Sequence, residues 1–460
     1  MIDVIKVIYL LLITSFFYFL VIRLYIKKEP FGRKEWVLTL LVLGLSIVLY
    51  VRFVINDLIL IAPSDEALYV DLAADVTAGQ DAPTSGPGFL YAVLLVCSMT
   101  GWPVENIIAI SGLLLGSAYP LIIYLIYRKH MASREEAVFS LIFIFSTSYL
   151  LWPMIEARPQ QAGMLLVLVG GLLYHLYLDK GKHMAPVILI CLFTFFWHVL
   201  SFLILMGLIF LLWWFAFLED RTNIRKIVWP FIISIFGLFI FIAPIPLYSG
   251  MYGGIRYTLD HSSLSIIRNR YFLTAFIVVS LPVLVLLTRY LKKIDIVDRL
   301  KRTGVKYSKI LMIIFISILI LGLCLQFYLN REIHIEKYRG SFLLFLILQS
   351  GNFFFGAMFM IGFFRSMGNN NFQDPYFRSV IMLMLIGIGS LVISIFLPIH
   401  FNNWAIRMIN YWTLFAAPLV ARQVLIMDPK WRKVLILILP LFIVLSLINI
   451  SRDPTILGFP

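Results

Sequence analysis

The chain has 460 residues, 61% of them hydrophobic and only 13% charged, with a mean hydropathy of +0.95, which excludes an ordinary water-soluble domain. Long apolar runs without alternation exclude a transmembrane barrel and call for helices, whose backbone groups are satisfied within each segment. The formal charge of +14 does not point to nucleic acid, because Lys and Arg stand in short clusters between apolar runs, as topology signals do.

The expected fold class is all-α, a polytopic membrane protein. The first apolar run, residues 5–26, leads into Arg23, Lys27, Lys28, Arg33 and Lys34 without a small-residue cleavage site. Residues 1–35 therefore read as an N-terminal anchor, its start outside, followed by a basic loop. The second run, 36–60, then crosses outward and delivers Ser64-Asp65-Glu66-Ala67-Leu68-Tyr69 to the external face.

Residues 66–78 predict a short amphipathic helix capped by Ser64 or Asp65, with Leu68, Leu72 and Val76 as its apolar stripe and Asp71 and Asp75 facing away. Gly79 to Gly88 is a turn-rich break. The apolar piece 89–100 is too short to span and is expected to lie along the outer interface, whereas 104–127 is long enough and ends in Arg128, Lys129 and His130. An external loop over 62–103 thus sits inside an N-terminal unit of residues 36–178.

Further spans are expected at 136–153, 161–178, 185–198, 199–218, 227–247, 271–290, 309–329, 341–364, 379–399, 408–426 and 434–450, about fourteen crossings in all. Residues 179–460 form the remaining helices, with short external loops and no soluble domain. The densest basic cluster, Arg289 to Lys309, reads as an inner loop. Trp197-His198 falls at the turn between two closely spaced spans; one long helix there would reverse all later sidedness, against the charge bias. Cys97, Cys191 and Cys324 lie in apolar stretches without metal-type spacing and read as packing residues.

No Walker loop, Rossmann fingerprint or His-Glu-x-x-His helix is present. What remains is an outer face with a few acids and several arginines. Asp65 and Glu66 are adjacent carboxylates at a membrane boundary, where partial desolvation suits a carboxylate to take a proton from a hydroxyl or amine; the plain alternative is a cap plus a solvated acid. The stretch Trp152-Pro153-Met154-Ile155-Glu156-Ala157-Arg158-Pro159-Gln160-Gln161 starts a helix at Pro159, whose positive end beside Arg158 favours a phosphate; an interfacial pair of Arg158 with Glu156 is the alternative. Arg256, Arg268, Arg270, Arg331, Lys337, Arg339 and Arg407 are further outer cations. Arg407 stands at the mouth of an apolar span, where a phosphate would relieve the cost of an unpaired guanidinium. His198, His261, His334 and His400 also fall outside. Tyr69, Glu156, Gln160, His198 and His261 are the candidates for lining a cavity or contacting an acceptor.

The order of second span, Asp65-Glu66, Asp-bearing amphipathic helix, Pro87-Gly88-Phe89-Leu90-Tyr91, interfacial helix and full span resembles the N-terminal unit of the GT-C superfamily of membrane glycosyltransferases. In layout it is similar to aminoarabinose transferases and protein O-mannosyltransferases. Glu156 to Gln160, and Arg407 preceding Tyr411 and Pro418, add to the resemblance. It covers mainly residues 36–178, with an echo at 400–425. It implies transfer of a sugar from a polyprenyl-phosphate donor (dolichyl or undecaprenyl) to a lipid or glycan acceptor outside the cell membrane, with inversion. Asp65 would be the general base, and Glu66 would position the acceptor or share that role.

One base suffices, because the leaving phosphate needs no general acid, unlike the leaving group in glycoside hydrolysis. Arg158 and Arg407, then Arg331 and Arg339, would stabilise the phosphate. The sequence requires no cofactor; a divalent cation at the carboxylates, used by some members, stays open. The extra leading span and the missing C-terminal soluble domain depart from the O-mannosyltransferase layout and weigh against a protein acceptor. The rival readings are a flippase or transporter for lipid-linked glycans, and a glycan polymerase or ligase. Coupled carriers show mid-membrane charges and paired broken helices, whereas Gln349 and Asn352 are neutral.

Overall fold

The computed structural model describes residues 2–23, 32–55, 65–79, 87–223, 225–227, 232, 270–329, 341–396 and 401–451. Among the described residues there is no strand. The expected span 227–247 lies almost wholly outside them, as do His261, Arg331, Arg339, Ser64, Arg256, Arg268, Lys337, His334 and His400.

The N-terminal unit contains α1 (Ile2–Val21), α2 (Arg33–Leu49) with a π-helical turn (Tyr50–Ile55), α3 (Asp65–Thr77), α4 (Pro87–Thr100), α5 (Val104–His130), α6 (Arg134–Phe145), α7 (Ser148–Ile155) and α8 (Pro159–Lys180). After it come α9 (Met184–Trp197), α10 (Val199–Leu218), α11 (Arg270–Lys293), α12 (Ile296–Leu329), α13 (Phe342–Leu348), α14 (Ser350–Gly368), α15 (Pro375–Phe396), α16 (Phe401–Leu425) and α17 (Pro429–Ser451). By length and composition six helices among the described residues are able to cross a membrane, or up to eight if each of two bent pairs is one span. The chain is thus a helical, multi-pass membrane protein.

Two helices organise the interior. α16 is buried almost continuously from Asn410 to Val424 and packs on α6, α14 and α15; the Tyr127 hydroxyl donates to its Leu414 carbonyl at 2.6 Å. α8 packs along α9 and α10, and joins the two polar ends of the bundle. At its C-terminal end Asp179 pairs with Arg221 at 2.9 Å, and Glu219 takes Arg378 at 2.9 Å and Lys301 at 2.6 Å. Arg422 there joins Glu136 and Asp374.

Several expected boundaries change. The single span at 136–153 is two helices, α6 and α7, bent by 86°. At the break the Ser146 and Thr147 hydroxyls donate to the carbonyls of Phe143 and Ile144, at 2.7 and 3.0 Å, and so compete with helix continuation. The span at 341–364 is likewise α13 and α14, bent by 61° at Gln349. The two breaks face each other. Asn352 accepts the Ser148 N–H at 3.0 Å and donates to the Ser148 hydroxyl at 2.9 Å and to Gln349 Oε1 at 2.6 Å.

The expected inner loop Arg289–Lys309 is mostly helical: only Ile294 and Asp295 turn between α11 and α12. In α3 the buried face is Glu66, Tyr69 and Ala73, while Leu68, expected inside, is 51% exposed. Position 66 is turned inward by an ion pair described next, which outweighs the leucine stripe.

Candidate functional site

α7 ends at Ile155 and α8 begins at Pro159, so Glu156, Ala157 and Arg158 form a short extended link between them. Proline suits the first helical position because its φ is preset and no N–H is lost there. Arg158 caps the helix in an extended conformation (φ −141°, ψ 158°) without a side-chain cap bond, so the positive end of α8 lies at this link.

The link is held from one side by Arg52 and Glu66. Arg52 lies in the π-helical turn after α2 and Glu66 at the start of α3; both are fully buried and form an ion pair. The Arg52 guanidinium also donates to the Ile155 carbonyl at 3.1 Å, and the Ala157 N–H donates to Glu66 Oε1 at 2.5 Å. One acid and one base thereby pin the backbone on both sides of Glu156. α5 makes room for them at Gly112, where a Cβ would stand 2.0 Å from Arg52 Nη2 and 3.0 Å from the Ala157 Cβ.

The other side of the link faces helices from later in the chain. Arg158 pairs with Glu156 at 3.3 Å. Between α9 and α10, His198 caps α10 by accepting the Ser201 N–H at Nδ1 (3.3 Å). Its Nδ1 also lies 2.6 Å from Ser201 Oγ, which lies 2.7 Å from the Tyr411 hydroxyl of α16. Gly163 of α8 leaves space for this chain of contacts, since a Cβ there would meet Ser201 Oγ at 2.1 Å. Burial, reinforced by the positive charges of Arg407 and Arg158, pushes His198 down to about 3, so the imidazole is neutral at ordinary pH. With Nδ1 accepting a backbone N–H, its proton sits on Nε2.

Arg407, in the second turn of α16, acts on both His198 and Tyr411, as Arg158 does. Among the described residues no carboxylate pairs with Arg407. Two buried donors close by, the Tyr119 hydroxyl and Gln160 Nε2, have no hydrogen-bond partner among the described residues. Tyr119 is within electrostatic reach of Arg158 and Tyr411. Two guanidinium groups, a helix N-terminus, unsatisfied donors and a neutral histidine make a site suited to an anion.

The predicted residues therefore divide. Arg158, Glu156, Gln160, His198 and Arg407 gather at the N-terminal end of α8. Glu66 is brought beside them but is committed to Arg52 and the Ala157 N–H. Tyr69 is a packing residue, edge-on to Phe89 at 5.3 Å, and Phe89 is in turn edge-on to Trp197 at 5.9 Å. The backbone of Asp65 opens α3, while its side chain lies outside the described atoms. Arg52 was not foreseen; the signal was a lone arginine inside an apolar run, which demands a partner. Among the described residues no group of three or more His, Cys, Asp or Glu side chains is arranged to hold a metal. A separate open cavity of about 450 Å³, lined by Val70, Ala74, Thr77, Ala78, Val104 and Glu105, contains none of the predicted site residues. No protein-family model, curated protein or solved structure matches the chain.

Proposed function

We propose that the chain is a GT-C-like glycosyltransferase of about fourteen crossings, which moves a sugar from a polyprenyl-phosphate donor to a lipid or glycan acceptor on the outer face of the cell membrane. The observation that carries this reading is that the positive charges of Arg158 and Arg407, from opposite halves of the chain, both act on the hydrogen-bonded group of His198, Ser201 and Tyr411 near the head of α8. A buried cationic site next to a membrane matches a lipid-linked phosphate, the group on which charge develops as the donor bond breaks.

In the proposed reaction Asp65 takes the proton of the acceptor hydroxyl. The acceptor oxygen bonds to the anomeric carbon, the bond from that carbon to the phosphate oxygen breaks, and the electron pair leaves with the polyprenyl phosphate. Back-side attack inverts the configuration. Glu66 is assigned a positioning role rather than proton transfer, because its carboxylate already neutralises Arg52 and holds Ala157.

The test compares Asp65→Asn with Arg407→Ala in sugar transfer from a radiolabelled polyprenyl-phosphate donor by purified, reconstituted protein. Asp65→Asn is expected to lower kcat by at least about a hundredfold. Arg407→Ala is expected to raise the donor KM by about tenfold or more. Full activity in the first variant removes the base; an unchanged donor KM in the second removes the phosphate role.

One observation favours the second reading, a flippase or transporter. The paired breaks α6–α7 and α13–α14, joined through Asn352, resemble the discontinuous helices of carriers. Movement of an intact lipid-linked glycan across vesicles, without transfer, would select that reading.

A further inference from the structure

α12 has 34 residues, about 51 Å of helix, whereas a hydrocarbon core of about 30 Å needs only about 20 residues. One face of it changes character along its length. Arg299, Arg302, Lys306 and Lys309 follow each other at helical spacing and are all exposed; the same face then continues with exposed Ile313 (62%) and Ile320 (47%). Counting back from Leu329, the apolar segment from Ile310 fills the hydrocarbon thickness, so the cationic turns stand at the level of the headgroups. The opposite face is the packed one: Val297, Gly304 and Ser308 are buried, and a Cβ at Gly304 or Gly368 would collide with Met367 or Ser308, respectively.

Charge neutralisation on this surface is one-sided. Lys301 turns inward to Glu219 at 2.6 Å, and Asp298 stands 3.9 Å from Lys301. Among the described residues Arg299, Arg302, Lys306 and Lys309 have no ion pair, and Arg289 and Lys293 at the end of α11 add two more exposed cations in the same condition. Asp295, in the turn, and Asp220, which takes Lys292 at 2.5 Å, are further acids nearby. Lys301 and Glu219 also fix which end of the bundle this is. They belong to the network around Asp179 at the C-terminal end of α8, about 30 Å along that helix from Arg158.

We propose that the outer face of α12 from Arg299 to Lys309 is a binding surface for anionic phospholipid headgroups of the leaflet opposite the Arg158–Arg407 site. Continuity with a lipid-exposed apolar stripe identifies the occupant, because the lipids that coat Ile313 and Ile320 bring their phosphates to Lys306 and Lys309. A second copy of the chain would oppose like charges. Cations held near a charged leaflet attract it by roughly fivefold each.

The test reconstitutes the full chain in vesicles of equal phosphatidylcholine and phosphatidylglycerol, extracts it gently, and measures the co-purified lipids by mass spectrometry. The native chain is expected to retain phosphatidylglycerol in clear excess. The variant Arg299→Gln/Arg302→Gln/Lys306→Gln/Lys309→Gln is expected to lose that excess by at least about fivefold. Extraction in 1 M salt should have the same effect, since the screening length falls to about 3 Å. The comparison variant Arg128→Gln/Lys129→Gln/Lys180→Gln/Lys182→Gln removes four exposed cations from α5, α8 and the link after α8. An unchanged lipid ratio in the α12 variant, or an equal loss in the comparison variant, overturns the proposal. If the fourfold α12 variant does not fold, Lys306→Gln/Lys309→Gln is read in the same way, with an expected loss of at least about threefold.

Discussion

A guanidinium sealed among helices must have its counter-charge within reach, and Arg52 meets that demand with a carboxylate fourteen residues further along the chain. Breaking one side of such a buried pair costs about 3–5 kcal/mol, because the other charge is left without compensation. Gly112 tests this without touching either charge. A Cβ at that position displaces the Arg52 guanidinium, so Gly112→Ala is expected to destabilise the detergent-purified protein by about 3 kcal/mol. Gly387→Ala, where a Cβ meets nothing within 4 Å, is the matched control, and equal thermal unfolding of the two variants would refute the clamp. Asp65 and Glu66 were legible as an unusual pair of acids. Nothing local distinguished the one that is locked from its neighbour, because Arg52 is brought to Glu66 by the packing of α2, α3 and α5.

At the scale of elements, the sequence located most helices closely and their breaks poorly. α10 coincides with the expected 199–218, and α8 extends the expected 161–178 by only two residues at each end. A run of apolar residues records its length, but Ser148 and Asn352 look like ordinary tolerated polar residues until they are seen to bond each other. The two are 204 positions apart, and Asn352 satisfies both the Ser148 N–H and its hydroxyl. Asn352→Leu therefore deprives the buried Ser148 N–H and hydroxyl of this partner and is expected to cost about 2–4 kcal/mol. Faster amide exchange at Ser146 to Ser148 than in the native protein is the corresponding measurement; unchanged exchange would mean that the bend stands without the asparagine. The rotation of α3 has a similar origin. Leu68 is left half exposed, and the inward face goes to Glu66 and Tyr69.

For the whole molecule the decisive feature is polarity at both ends of α8, with anion-seeking arginines at one and a neutralised ionic network at the other. If Arg158 and Arg407 share one anion, their effects must be coupled. Arg158→Ala and Arg407→Ala are each expected to weaken donor use, and the double variant should lose less than the sum of the two, by about 1 kcal/mol or more. Strict additivity in a double-mutant cycle would separate the two arginines into independent sites.

The sequence by itself determined that this is a helical membrane protein, where its principal apolar segments run, and which residues near their ends carry unusual charge. Those properties follow from composition and spacing along the chain, because the bilayer imposes a length and an internal hydrogen-bond requirement on each segment separately. Only the tertiary structure decided that Glu66 belongs to Arg52, that His198 is linked to Tyr411 through Ser201 within electrostatic reach of two arginines, and that the basic cluster after α11 is a helical face. Each depends on which helices touch, and electrostatic pairing inside a membrane is settled by proximity in space rather than along the chain.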